Sequence, residues 1–210
     1  MRVRTTRFGP IDVTYDDDVL EPRPWTIEQS RWAVELLDEV PGGPVLELCA
    51  GAGHIGLVVA VESGCELVQV DVHASACGHA RANAERAGVS ADVRCGRLDA
   101  VLAPGERFPL VLADPPYVPS GEVDDLPEDP PGAIDGGDDG LDIARTCLAV
   151  AAGHLADGGR VVLQLGSCEQ AERLRSAAAD HGLQVTELRP VEGKGVLVLL
   201  RPAGPSSDLP

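Results

Sequence analysis

Asp114-Pro115-Pro116-Tyr117 directly follows the apolar run Pro109-Leu110-Val111-Leu112-Ala113. Such a run reads as a buried strand, so the tetrapeptide sits where a strand meets its loop. Pro116 has no N–H, which ends the strand's ladder and leaves the Pro115 carbonyl free to accept a hydrogen bond. The Asp114 carboxylate offers a second acceptor beside it. Two acceptors suit a planar nitrogen, whose delocalised lone pair attacks carbon poorly unless its N–H groups are held toward a pyramidal transition state. Tyr117 is expected to stack on the planar group. The implied chemistry is methyl transfer to an amide or aromatic-amine nitrogen. Asp114, Pro115 and Tyr117 are its catalytic residues, with Pro116 and Tyr117 against the substrate.

A second constellation precedes it. Glu47-Leu48-Cys49-Ala50-Gly51-Ala52-Gly53-His54-Ile55-Gly56 closes one strand and opens a helix, where glycine turns let a ligand approach the backbone. Gly51, Gly53 and Gly56 also satisfy G-x-G-x-x-G, and Asp71 could bind ribose hydroxyls, so a nicotinamide-dependent oxidoreductase is a rival reading. A dinucleotide, however, puts its diphosphate on the helix N-terminus, and here a carboxylate comes close to the ligand. A carboxylate suits a cation better. S-adenosylmethionine carries an ammonium and a sulfonium, which makes Glu47 near its methionine end and Asp71, with Val72 beside it, on its ribose electrostatically sensible. His54 and His73 stand where either could touch the ligand. His79, His154 and His181 are expected to be solvated.

Positioning these groups requires strands alternating with helices. The pattern predicts strands at 45–49, 66–71, 91–95, 110–113 and 160–165, and helices near 55–63, 74–87, 139–156 and 168–181. Two closing strands follow at 184–189 and 195–200. Their five-residue connection is hairpin-like, so the last strand should run antiparallel. The expected fold is α/β and Rossmann-like: a seven-stranded, mostly parallel sheet with helices on both faces. Residues 1–25 read as a lead-in turning at Phe8-Gly9-Pro10-Ile11, 26–201 as the methyltransferase domain and 202–210 as a flexible tail. Within the domain, a leading helix begins at Thr26, with Thr26 and Gln29 at capping-box spacing. It is expected to pack on the first strand and to stop at Pro41-Gly42-Gly43.

Composition narrows the partners. The 210 residues carry a formal net charge of -17, and the 114–142 stretch holds ten acidic residues without a Lys or Arg. Such a rim repels polynucleotides, which disfavours a nucleic-acid substrate. No stretch approaches the roughly 20 apolar residues of a membrane span, and no signal-peptide core follows Met1, so a soluble cytoplasmic protein is expected. The six cysteines form no C-x-x-C pair and read as reduced packing residues, and no metal site is expected.

Taken together, the chain resembles class I methyltransferases and, more narrowly, the release-factor glutamine N5-methyltransferase family, from about Phe8 to Leu199. Val19-Leu20-Glu21-Pro22-Arg23-Pro24-Trp25-Thr26 is similar to the family's lead-in, which implies substrate contacts for Pro22, Arg23 and Thr26. Glu47 to Gly53 is similar to its cofactor motif, implying cofactor contacts for Glu47, Cys49, Gly51 and Gly53, as well as for Asp114. Ala133 to Asp142 is similar to its Gly-Gly-x-Asp-Gly-Leu segment. After the third strand, Gly96-Arg97-Leu98-Asp99 takes the place where the family meets adenine. Arg97 and Leu98 are the implied contacts, while the family's acid directly after the glycine has its counterpart only at Asp99. The resemblance implies S-adenosylmethionine as cofactor and a release-factor glutamine as acceptor. Asp114 stands where the family carries Asn, and the helical domain that docks the release factor has no counterpart before the leading helix. Short forms of the family exist, and some use a small activating partner protein. A small-molecule N-methyltransferase of specialised metabolism therefore stays open as an alternative, as does a base N-methyltransferase.

Overall fold

A computed structural model describes residues 2–204. The lead-in forms a hairpin, β1 (Arg4–Phe8) and β2 (Ile11–Tyr15), followed by a 3₁₀ turn at Pro24–Thr26 and helix α1 (Ile27–Leu36). The alternating portion is β3 (Val45–Leu48), α2 (His54–Ser63), β4 (Leu67–Asp71), α3 (Ala74–Ala87), β5 (Ala91–Cys95) and β6 (Phe108–Ala113). A short helix α4 (Pro131–Ile134) interrupts the acidic loop. It is followed by α5 (Asp142–His154), β7 (Leu155–Leu165), α6 (Cys168–Asp180), β8 (Leu183–Val191) and β9 (Gly195–Pro202).

The expected architecture is the one observed. Seven strands pair in the order β5-β4-β3-β6-β7-β9-β8, and β9 runs antiparallel to both of its neighbours. Sheet periodicity divides the apolar residues between two faces. Leu46, Leu48, Val111, Leu163 and Val198 face α5 and α6, whereas Val45, Leu110, Leu112, Val162 and Leu199 face the hairpin and helices α1, α2 and α3. Helix α2 is apolar on nearly every side and is correspondingly buried between α1 and the sheet. It starts after Gly53 and stops at Gly64, both left-handed.

Several details correct the sequence-based expectations. Thr26 makes no cap to Gln29; its hydroxyl donates to the Arg23 carbonyl at 2.9 Å, while Gln29 turns its amide into the sheet. Helix α1 packs chiefly on α2 and on β6 and β7 rather than on β3. The hairpin's Phe8, Ile11, Val13 and Tyr15 share one core with α1 and α2. Pro202 pairs with Leu183 at the end of β9, and residues 205–210 of the expected tail lie outside the described residues. Cys95 and Cys168 are exposed rather than packed, because they fall at the end of an edge strand and at the first residue of α6. His79 is not solvated: its Nε2 lies 2.9 Å from the buried Asp16 carboxylate.

The switch point of the fold lies between β3 and β6. From β3 the chain moves outward to β4 and β5, then returns on the other side as β6. The loops leaving β3 and β6 therefore diverge and open a crevice at the carboxyl ends of the strands.

Candidate active site

A cleft of 390 Å³ fills that crevice, a size suited to a small ligand. One wall is the β3 loop with Cys49 and Gly51, and next to it stand Asp71 and Val72 at the end of β4. Leu98 and Arg97 close the far end, and Asp114 and Pro116 close the near end with Arg23 and Thr26. The cleft thus unites ten of the residues read from sequence as site candidates.

Backbone geometry shapes the loop. Cys49 (φ 56°), Gly51 (φ 54°) and Gly53 (φ 79°) all take left-handed conformations, which fold the chain back tightly before α2. Cys49 is the only described non-glycine residue with positive φ, a local strain held at the cleft. Asp71 fixes the loop from outside, accepting the Gly51 N–H (2.8 Å) through one oxygen and the His73 N–H (2.9 Å) through the other. Each oxygen keeps a lone pair for a ligand hydroxyl.

Glu47 and Gly53 act differently from expectation. Glu47, 2 % exposed, does not line the cleft. Its carboxyl lies beneath the loop, where it accepts from Gln69 Nε2 at 2.6 Å and from the Gly56 backbone. A Cβ on Gly56 would come within 2.5 Å of that carboxyl, so glycine permits the approach. Burial pushes the Glu47 carboxyl up to about 7, against the pull of those two donors. Gly53 packs inward on Gln69 and Ala80. Both residues lie beneath the loop, off the cleft wall.

The tetrapeptide divides between two cavities. Among the described residues no hydrogen-bond donor reaches the Asp114 carboxyl, and desolvation raises it to about 7. Pro115 is buried behind it. Tyr117 turns away from the donor cleft: its ring lies over Gly166, where a Cβ would come within 2.8 Å, and it lines a neighbouring 510 Å³ cleft. Pro116 takes the cleft-lining position instead. Pro22 is buried outside the cleft, which the lead-in lines through Asp18, Val19, Leu20, Glu21 and Arg23. Arg97 is largely exposed (76 %) and ion-paired with Asp99, so it forms the rim rather than the floor.

The Gly-Gly-Asp-Asp-Gly stretch braces this corner. Val118 N–H donates to Ile134, Gly136 N–H to Val118 and Ser120 N–H to Gly137, so the acidic loop runs alongside residues 118–120 as a strap. Gly136 and Gly140 let it press on the Pro116 and Tyr117 carbonyls. The loop then reaches the cleft through Gly132, Ala133 and Asp135. Those cleft residues, and Ile143 and Thr146 of α5, were not singled out from sequence. The resemblance marks the 133–142 segment, without indicating that its near end lines the cleft. His54 also lines the cleft, its ring edge-on to Phe8 and its pKa pushed down to about 4 by burial, so it is neutral. Among the described residues no cluster of His, Cys, Asp and Glu could hold a metal ion, and no helix is long and apolar enough to cross a membrane.

A doubly wound sheet with a glycine-lined cleft at its switch point, an acid at the end of the second parallel strand and Asp-Pro-Pro-Tyr after the fourth defines a methyltransferase-type architecture. Residues 28–176 match the family model described as "Methyltransferase small domain". The chain belongs to that family of S-adenosylmethionine-dependent methyltransferases. It is 36 % identical over 168 residues to a release factor glutamine methyltransferase of Gloeobacter violaceus, covering 77 % of this chain and 59 % of that protein. It is 31 % identical over 210 residues to a ribosomal protein uL3 glutamine methyltransferase of Burkholderia pseudomallei, covering 93 % and 66 %. The chain thus spans roughly three-fifths to two-thirds of these relatives' length. The fold is shared with a solved methyltransferase of Pyrococcus furiosus, at a TM-score of 0.69, 21 % identity and coverage of 91 % and 89 %.

Proposed function

We propose that this chain transfers a methyl group from S-adenosylmethionine to a glutamine side-chain amide in a protein of the translation apparatus, with a release factor as the leading substrate. The observation that carries this reading is the unpartnered Asp114 carboxyl, desolvated at the carboxyl end of β6 and lining the same cleft as the glycine loop and Asp71. The residues present fit the donor. The cleft has apolar lining at Leu98, Val72 and Ile143 for a flat base, with Val72 at the exposed edge, Asp71 for ribose hydroxyls, and acidic groups toward the end where the sulfonium's positive charge would lie. When bound, the donor supplies a methyl group already activated by the sulfonium.

The chain's own residues then need only align the acceptor. Asp114 accepts one amide N–H, the Pro115 carbonyl is suited to accept the other, and both favour the pyramidal nitrogen of the transition state. As positive charge develops on that nitrogen, the Asp114 carboxylate stabilises it. No strong base is required, because the N–H becomes acidic once the new bond forms. Tyr117 supports the loop from the neighbouring cleft and has no stacking role in this scheme.

The test is calorimetry with S-adenosylmethionine, followed by labelled methyl transfer to purified release factors and to ribosomal protein uL3. Donor binding and label on a glutamine support the reading; binding with no label on either protein refutes the substrate. A small-molecule nitrogen acceptor is the second reading, favoured by the carboxyl rather than amide group at position 114, which accepts from both an amide and a more basic amine.

A further inference from the structure

Gln29 reaches neither ligand cleft, yet it grips the chain one residue before Asp114. It lies on the sheet-facing side of α1 with 0 % exposure. Its Nε2 donates to the carbonyls of Ala113 and Val162, each at 3.0 Å. These carbonyls belong to adjacent strands, β6 and β7, and Ala113 hands the chain to Asp114.

The amide orientation is forced. Both acceptors are carbonyl oxygens, so only the nitrogen can face them, and Oε1 is left buried without a donor. A buried acceptor without a partner is a net cost, which the two bonds made by the nitrogen offset. Asp114 needs such a hold. No donor among the described residues reaches its carboxyl, and Pro115 and Pro116 bring no N–H to extend the ladder beyond Ala113. Asp114 therefore takes its position from Ala113, which β3 and β7 flank in the sheet and whose carbonyl Gln29 also holds. Neighbouring loops are fixed in the same manner. Gln69 Nε2 holds the Gly53 carbonyl at 2.8 Å, and Gln170 Nε2 holds the Tyr117 carbonyl at 2.8 Å.

We infer that Gln29 is a positioning residue for methyl transfer: by clamping the Ala113 carbonyl it aims the Asp114 carboxyl at the acceptor nitrogen. This rests on the proposed role of Asp114 as acceptor of the substrate N–H. Gln29→Leu keeps the apolar shape and removes both donors, so kcat should fall on the order of 100-fold, the scale for a misplaced catalytic group. Affinity for S-adenosylhomocysteine, read by calorimetry, should change by less than about twofold, because Gln29 touches no cofactor loop. In an Asp114→Ala background the same substitution should alter kcat by less than about threefold, since its effect travels through the missing carboxyl. Equal losses in both backgrounds, or a parallel loss of cofactor affinity, would overturn the inference. Gln29→Glu keeps the shape and one donor when protonated, and should recover part of the rate; it also replaces the leucine variant in the cycle should that one fail to fold. A crystal structure of either variant gives a readout independent of turnover: a displaced Asp114–Pro115 main chain is expected within an unchanged sheet, and an unmoved Asp114 sinks the inference. If the wild-type chain methylates no nitrogen acceptor, the proposed function falls, and this structural comparison still decides whether Gln29 sets the position of Asp114.

Discussion

Arg23, on the cleft wall, is paired with Asp129, with Nη2 of the guanidinium 2.6 Å from Oδ2 of the carboxylate. Arg23 belongs to the lead-in and Asp129 to the acidic loop, so this ion pair ties together two segments 106 residues apart in the chain. The Arg23 guanidinium also lies 5.8 Å over the Trp25 ring, which limits its freedom. Asp129→Ala should weaken donor binding about fivefold, because a partly exposed pair contributes up to about 1 kcal/mol. Hydrogen exchange at residues 129–135 should quicken in the same variant; unchanged exchange would show that the loop is held by the strap alone.

The pH profile should report Asp114. Its carboxyl is raised to about 7 by desolvation, and only the ionised form accepts hydrogen bonds through both oxygens. The rate constant kcat/KM is therefore expected to climb from the acid side and level off above about 7. Donor binding adds a cation and stabilises the carboxylate, which moves the corresponding limb of kcat to lower pH. Asp114→Asn should remove the limb and leave a flat profile with a lower rate. A limb that persists in the variant assigns the titration to another group.

Glu47 makes a separate prediction about stability. Its folded value of about 7 lies above the ordinary 4.5, so between those values the native state holds a proton that the unfolded chain releases. Stability contributed by this group is complete below about 4.5, falls as pH rises through about 7, and is constant beyond. Denaturant titrations of Glu47→Gln against wild type should show the wild type losing on the order of 2 to 3 kcal/mol more between pH 5 and pH 8. Equal losses would mean that the carboxyl is more solvated than its 2 % exposure implies.

Gly136→Ala tests the strap. A Cβ there would come within 2.7 Å of the Pro116 and Gly140 carbonyl oxygens, and both are backbone atoms with little room to yield. The substitution should destabilise the fold by roughly 1–3 kcal/mol, the usual range for overpacking. Methyl transfer should fall further than this stability loss explains, while donor affinity is largely kept, since the displaced atoms border the acceptor end. Thermal melting and single-turnover rates separate the two effects.

The fold was legible wherever the signals were local. Helix α3 could be read at its full length because Gly88 ends it in a left-handed turn, and the reversal of β9 followed from the short Pro190–Lys194 connection. The glycine loop, Asp71 and Asp114 stood out because their chemistry depends on residue type and on position at strand ends. What escaped depends on partners distant in the chain. Gln29 read as half of a cap, because its carbonyl partners lie 84 and 133 residues away. The Tyr117 ring follows the space left by Gly166, a residue of another strand's exit. Glu47 looked like a ligand for a cation, and only the bare Cα of Gly56 explains why its carboxyl goes beneath the loop instead.

The placement of β9 between β7 and β8 governs the order in which a growing chain can mature. Of the seven-stranded sheet, strands β3 to β6 emerge first from the ribosome and can pair among themselves. β7 then joins β6, but its outer edge has no neighbour until the last strand emerges and slides in. During that interval an apolar ribbon lies open to pairing with other chains, so holdase chaperones have their main opportunity here.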